Sequence, residues 1–512
     1  MKVGQRLGVI DLGSNSFRMV VFLAGGSWWK RTDEIYEPVR IGQGEAASGA
    51  LGEKPMQRAL STLDVFAHFA AASDLGPESL DAVATSAIRE ATNAEDFLAR
   101  ARARSGLPIR VLTRAQEARY GYLAAVNSTT LSDGYVLDLG GGSLQLVQAR
   151  ERLERHCASW PLGTVRMTER FLPGRARAKR KQLTELREHV AEELAQATWL
   201  APQSGEQAER RLVGIGGTVR NLAAAAQRAA GLPSNGVQGM VIAREALDEL
   251  IERLAALPPA ERASVPGIKP ARADLILAGA LVLQGVLAAG SFGGLEATEA
   301  GLREGVFFER LLEGRDPPLF EDVRRASVMN LAASYQADPA HTRHVAALAL
   351  GMFDELARLG LHPGDPRERE LLWAASMLHD IGMSVDYDDH HKHSRYLILS
   401  AGLPGFTPVE VAIIAQAARY HRKGLPDPGP LGALFGEGDA ARLDRCAVLL
   451  RLAEDLERSR DQLVRSTSLS LNNGEGELRL IAEGELVVPR WAASREAELF
   501  NRAFARRLSV AA

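Results

Sequence analysis

Cysteine is almost absent: Cys157 and Cys446 are the two in a chain of 512 residues. That is too few for a disulfide framework or a structural zinc knuckle, and it fits a reducing compartment, so the expected location is the cytoplasm. Net charge is nearly absent as well. The 61 Lys and Arg offset 64 Asp and Glu to a formal −3, which excludes a polycation built to coat nucleic acid and makes any anion site a local one. Long apolar runs are lacking too. Residues 7–24 are interrupted by Asp11, Asn15 and Arg18, which argues against a signal peptide. The uncharged stretch Leu275–Leu295 contains Gln284, Ser291 and five glycines, and is expected to be a buried helix followed by a loop rather than a membrane span. What remains, 46% hydrophobic and 24% charged residues, is the composition of a globular protein with a large core, and the length argues for three or four domains.

Residues 7–12 form an apolar run closed by Asp11 and a Gly/Ser/Asn loop, and Phe17–Leu23 is a second apolar run. This predicts strand, tight turn, strand. The arrangement returns where Tyr135-Val136-Leu137 leads into Asp138-Leu139-Gly140-Gly141-Gly142-Ser143 and then Leu144-Gln145-Leu146-Val147. The two loops share D-L-G-x-x-S, a weak internal repeat that predicts a duplicated α/β half. Helical spacing occurs at Met56, Leu60, Leu63, Ala67, Ala70 and at Leu183, Leu186, Val190, Leu194, Ala197. The breaker Gly314-Arg315-Asp316-Pro317-Pro318 is the expected boundary, beyond which residues 321–465 show helical periodicity and hold most of the 11 histidines, between His341 and His421. Alternation from Leu469 to Pro489 around Asn472-Asn473-Gly474 predicts a hairpin, with a final helix near 494–508.

Two strand-ending aspartates, each followed by small residues, suit a phosphate site. Backbone N–H groups and hydroxyls of Ser14, Asn15, Ser16, Gly141, Gly142 and Ser143 can cradle phosphoryl oxygens while Asp11 and Asp138 hold Mg²⁺. A third element, Leu212-Val213-Gly214-Ile215-Gly216-Gly217-Thr218, again runs from strand to glycine turn to hydroxyl. The Ala-rich helix after it points its positive N-terminus at an anion.

These stretches resemble the actin-like phosphotransferase superfamily, and within it the exopolyphosphatase and guanosine pentaphosphate phosphohydrolase family. The resemblance rests on Val9–Phe17, Ala84–Arg89, Asp138–Ser143, Gly214–Thr218 and Gly301–Gly305, five motifs in order. It extends to long, four-domain members through Leu378-His379-Asp380-Ile381-Gly382 and His393–Tyr396. It implies duplicated actin-like (ribonuclease H-like) α/β domains over 1–125 and 126–312, an all-α HD-like domain over 313–465 and a small α+β domain over 466–512. It further implies a homodimer using Mg²⁺ (or Mn²⁺), acting on inorganic polyphosphate or on guanosine pentaphosphate, with guanosine tetraphosphate as a further ligand. By the same resemblance Glu117, in Gln116-Glu117-Ala118-Arg119, is the catalytic base and Arg89 lines the phosphate path. The plain alternatives are a surface glutamate paired with an arginine and a helix salt bridge to Glu90. Where the family usually carries a glutamate two residues after the glycine-loop serine, this chain has Gln145, and a neutral amide is a weaker Mg²⁺ ligand.

Arg175, Arg177, Lys179, Arg180 and Lys181 put five cations in seven positions. They read either as a solvated helix end or as a path for a polyanion. His344, His379-Asp380 and Asp455 fit the H…HD…D pattern of HD-domain phosphohydrolases, in which imidazoles and carboxylates meet at a divalent metal. In the resembled family, however, the helical domain shapes an interface and a substrate channel. His390, His391, His393 and His421 are equally readable as polar contacts on a groove wall. The leading expectation is therefore an Mg²⁺-dependent, processive exopolyphosphatase. Guanosine pentaphosphate 5′-phosphohydrolase is the nearest alternative, a non-catalytic alarmone or polyphosphate sensor the next, and an actin-like kinase or filament ATPase the weakest.

Overall fold

The structure, a computed structural model, describes residues 4–202, 210–472 and 474–511. The chain forms two compact units, residues 1–323 and 324–512.

Unit 1 is mixed α/β and contains the same sheet twice. In the first sheet β1 (Gln5–Leu12), β2 (Phe17–Gly25) and β3 (Trp28–Glu37) form an antiparallel meander, and β4 (Leu80–Ala84) and β5 (Ile109–Val111) extend it parallel to β1, in the order β3-β2-β1-β4-β5. In the second sheet β6 (Gly134–Leu139), β7 (Leu144–Arg150) and β8 (Leu153–Trp160) repeat the meander, and β9 (Leu212–Ile215) and β11 (Gly294–Ala297) repeat the parallel half. Only β10 (Met240–Ala243), antiparallel to β11 at the edge, has no counterpart. This is the duplicated α/β arrangement expected from the D-L-G-x-x-S repeat. The central strands β1 and β6 are apolar on both faces, as strands covered by helices on either side must be.

Helix Glu53–Ala72 buries Met56, Leu60, Leu63 and Ala70 against the first sheet, and helix Arg180–Leu194 buries Leu186, Val190 and Leu194, both following the spacing read from sequence. The uncharged stretch is the buried helix Ile276–Ala289 followed by a short loop, as expected, whose end leads into β11. Among the described residues no helix is long and apolar enough to cross a membrane. The Gly314–Pro318 breaker stays with unit 1. Asn127 Nδ2 donates to Pro318 O (3.0 Å), Phe320 N donates to Asn127 Oδ1 (2.9 Å), and the Phe320 ring stacks on Trp29, so the chain leaves the unit only at Val323.

Unit 2 packs helices Pro339–Arg358, Pro366–Leu378, His390–Ala401, Pro408–Arg419 and Asp439–Leu456 into one core. The hairpin is present as β12 (Val464–Asn472) and β13 (Glu475–Ala482), while Asn473 lies outside the described residues. The final helix is shorter than expected, Ala497–Phe504, because the chain turns at Ala505 and adds β14 (Leu508–Ala511) parallel to β13. Leu469, Leu478 and Phe500 belong to the same core as the helices, so residues 466–512 do not stand apart as a separate unit.

Candidate active site

The two D-L-G-x-x-S loops close with the same hydrogen bond: Gly13 N donates to Ser16 O (3.2 Å) and Gly140 N to Ser143 O (3.0 Å). Each brings an aspartate at the end of a central strand to one cleft of unit 1, about 120 Å³ in volume. Asp11, Asp138 and Glu117 line it, together with Ser14, Asn15, Ser16, Gly141, Gly216 and Gly217. Helix Gly217–Ala229 starts there, with Gly216 at φ +100°, so its free N–H groups open on the cleft. A Cβ at Gly217 would stand 2.5 Å from Arg272 Nη2, so a side chain there would displace that guanidinium.

Three of the expected cradle residues, Gly142, Ser143 and Thr218, are not in the lining of the cleft. Gly142 packs on the hydroxyls of Ser14 and Ser86, Thr218 packs under Gly279, and Ser143 points beneath the loop, where its Oγ lies 3.5 Å from Glu117 Oε1 and accepts from Gln145 Nε2 (2.8 Å). Four cations that the sequence reading did not assign to the site line it instead: Arg18, Arg220, Arg272 and Arg303. Arg303 donates to Asp11 Oδ2 at 2.9 Å. These arginines come from β2, the helix after β9, a short turn and the helix after β11, and no local signal joins them.

Glu117 sits in the first turn of helix Arg114–Val126, fixed by the Thr113/Gln116 capping box. Burial pushes its carboxyl up, opposed by Arg89. Arg89 does not line the cleft as expected. It stands behind Glu117, donating from Nη1 to Glu117 Oε2 and to Leu112 O, both at 2.8 Å. The short helix Ser86–Glu90 carries it, and the bridge to Glu90, the plain alternative, is a loose 3.9 Å.

Burial, with Glu117 and Asp11 adding to it, pushes Asp138 up to about 7, and burial likewise raises Asp11 in spite of Arg303 and Arg18. Three crowded buried carboxylates in an anion pocket call for a cation, and a set of oxygen donors suits a hard one such as Mg²⁺. Asn15, which lines the cleft, has both side-chain polar atoms buried and unpartnered. Such orphaned groups are a further mark of a missing polar ligand.

Residues 32–314 match the Ppx/GppA phosphatase family. The chain belongs to that family. Residues 323–489 match domain III of Ppx/GppA phosphatases. Among solved structures, a Ppx/GppA family member from Aquifex aeolicus is 27% identical with a TM-score of 0.52, over 61% of this chain and 99% of that one. An exopolyphosphatase-like protein is 26% identical with a TM-score of 0.53, over 59% and 96%. An exopolyphosphatase from Cytophaga hutchinsonii shares the fold at 22% identity and a TM-score of 0.54, over 60% and 98%. The protein is thus a phosphatase of the Ppx/GppA family.

In unit 2 the structure brings together a different set from the one expected around His379-Asp380. His341 and Glu454 meet them, whereas His344 Nε2 faces Val464 O (2.8 Å) and Asp455 pairs with Arg458 (3.4 Å). Asp455 is one residue past Glu454 and so points off the shared face, while His344, three residues past His341, is held by the Val464 carbonyl beside Glu457. His390 and His421 join this cluster, while His391 lines a neighbouring polar cleft.

Proposed function

We propose that the chain is an exopolyphosphatase that removes the terminal phosphate of inorganic polyphosphate with water as nucleophile. The observation carrying this reading is a second cleft, about 330 Å³, which shares Asn15 with the phosphate pocket and has Pro173 and Gly174, the neighbours of Arg175 in the chain, in its lining. Arg175, Arg177, Lys179, Arg180 and Lys181 follow, all exposed. A terminal phosphoryl group in the pocket would leave the rest of a polyanion a route along this cleft toward five cations.

Glu117 takes the proton of the attacking water as its oxygen bonds to phosphorus and the bond to the bridging oxygen breaks, and burial suits it to that task by raising its basicity. Arg89 holds Glu117 in place. The loop N–H groups and Arg18, Arg220, Arg272 and Arg303 face the charge on the phosphoryl oxygens. Asp11 and Asp138 would hold Mg²⁺, which neutralises and orients phosphate oxygens.

Phosphate release from long-chain polyphosphate and from guanosine pentaphosphate, measured side by side, tests the reading. A higher kcat/KM on long polyphosphate supports it. Preference for guanosine pentaphosphate, or binding of either without turnover, replaces it with the alarmone phosphohydrolase or the sensor.

A further inference from the structure

Unit 2 holds a second set of chemistry-bearing side chains that the phosphatase reading does not use. His341, His379, Asp380, His390 and His421 are all buried, between 0% and 5% exposed, and Glu454 adjoins them. They come from five helices or helix ends, so the tertiary fold has assembled them. Their ligand atoms form two groups, each within 4.8 Å: His341, His379 and Asp380, and Asp380, His390 and His421.

Three of the imidazoles are oriented alike. His379, His390 and His421 each place Nδ1 against the backbone carbonyl three residues earlier: Ser376 O at 2.7 Å, Tyr387 O at 2.9 Å and Ala418 O at 2.7 Å. A carbonyl only accepts, so Nδ1 carries the proton in each ring, and in the neutral ring Nε2 carries the lone pair. Two contacts compete: Arg422 Nη1 lies 3.4 Å from His390 Nδ1, and His379 Nε2 lies 3.1 Å from Glu454 Oε2, an oxygen that only accepts. All three Nε2 atoms converge on Asp380 Oδ1, at 3.6, 3.3 and 3.7 Å. His390 Nε2 and His421 Nε2 face each other at 3.1 Å.

Lone pair against lone pair at that distance in a buried site is repulsive unless a proton or a metal ion lies between them. Two nitrogens bound to one ion at ~2.1 Å lie about 3 Å apart, the spacing these two show. Asp380 has a counterion, since Arg460 Nη2 donates to its Oδ2 at 2.5 Å, whereas Glu454 faces His341 and His379 at 3.0 and 3.1 Å, so a cation among the imidazoles would balance this second carboxylate. His341 Nε2 is 3.0 Å from Glu454 Oε2 without hydrogen-bond alignment, and neither of its ring nitrogens has a hydrogen-bond partner. Buried imidazoles pre-oriented by carbonyl partners are how proteins prepare metal ligands.

We propose that this cluster binds a divalent transition-metal ion of the Mn²⁺, Fe²⁺, Co²⁺ or Zn²⁺ class, held by Asp380 and the Nε2 atoms of His379, His390 and His421, with His341 and Glu454 adjoining. The imidazoles select such ions over Mg²⁺, which prefers oxygen alone. The site is independent of the phosphate pocket and of what that pocket hydrolyses.

The test uses the full-length chain, stripped with chelator, loaded with each of the four ions in excess Mg²⁺, desalted and analysed for metal by mass spectrometry. The expected result is retention of about one equivalent or more of at least one ion, and a visible ligand-field absorption for the Co²⁺ form. The double variant His390→Ala/His421→Ala should lose affinity by about tenfold or more, whereas His344→Gln, Asp455→Asn and Asp11→Asn should keep it. No retained metal with any ion, equal retention in the double variant, or loss in Asp11→Asn overturns the proposal. If circular dichroism shows the double variant unfolded, the wild-type Co²⁺ titration decides. A saturable visible band supports the site and its absence overturns it.

Discussion

Glu117 is held from two directions, by Arg89 on Oε2 at 2.8 Å and by Ser143 near Oε1 at 3.5 Å. Glu117→Gln keeps the shape and a hydrogen-bond acceptor for Arg89 but removes the proton acceptor. It should lower kcat about 100-fold or more with KM little changed, read by phosphate release beside an unaltered circular dichroism spectrum. Near-normal turnover would take Glu117 out of the reaction. Gln145 is less simple. It faces Asp138 across the β6–β7 pair just as Arg18 faces Asp11 across β1–β2, so the two halves of the repeat place a neutral amide and a cation in matching positions. Its Nε2 donates to Ser143 Oγ, and it does not line the cleft. A carboxylate there could not make that donation and would add a fourth buried negative charge near Glu117, Asp138 and Asp11. Gln145→Glu should therefore raise the Mg²⁺ concentration needed for half-maximal activity. A Mg²⁺ titration that moves the other way would mean that residue 145 reaches the metal.

Among the elements, the strand-loop-strand units were legible because their signal is local: an apolar run, an aspartate and a tight turn fix each other within ten or so residues. Which loop atoms face the ligand was not legible, as Gly142, Ser143 and Thr218 show, because that depends on what packs beneath the turn. The same holds for the contact between helices Pro366–Leu378 and Asp439–Leu456. Glu368, 1% exposed, accepts from Arg445 at 2.7 and 2.6 Å and from His362 at 2.9 Å. Burial alone would push its carboxyl up, but His362 and Arg445 hold it below the usual range. The native state thus takes up this proton at lower pH than the unfolded chain. The stabilisation is complete above the ordinary glutamate pKa of about 4.3 and is lost as pH falls through the native value. Glu368→Ala strands Arg445 and should cost about 3–5 kcal/mol in urea unfolding at neutral pH. The loss of stability from about pH 5 downward should be shallower in the variant than in the wild type. Parallel pH profiles would show that Glu368 is not what the helix pair responds to.

For the whole molecule, the sequence pattern separated an α/β part from a helical part because hydrophobic periodicity changes from two to near four, and the structure shows both. It did not show that the Gly314–Pro318 breaker folds back onto Asn127, or that four arginines spread from residue 18 to residue 303 converge on one pocket. Those are products of chain return, which no local window contains. Charge behaves in the same way: a chain of net −3 concentrates cations where a polyanion would need them. The run Arg175–Lys181 makes this testable. Its side chains are exposed, and Lys181 has only a surface pair with Glu185 at 3.7 Å, so replacing all five cations by serine should leave the fold intact. On long polyphosphate KM should rise by about tenfold, and the slope of log KM against log salt should flatten, because fewer counterions are displaced on binding. On tripolyphosphate or guanosine pentaphosphate, whose phosphate chains are short, KM should change little. Equal changes on long and short substrates would make the run a general electrostatic lure. No change on any of them would return it to solvated surface, and the path past Asn15 and Gly174 would then have to end before it.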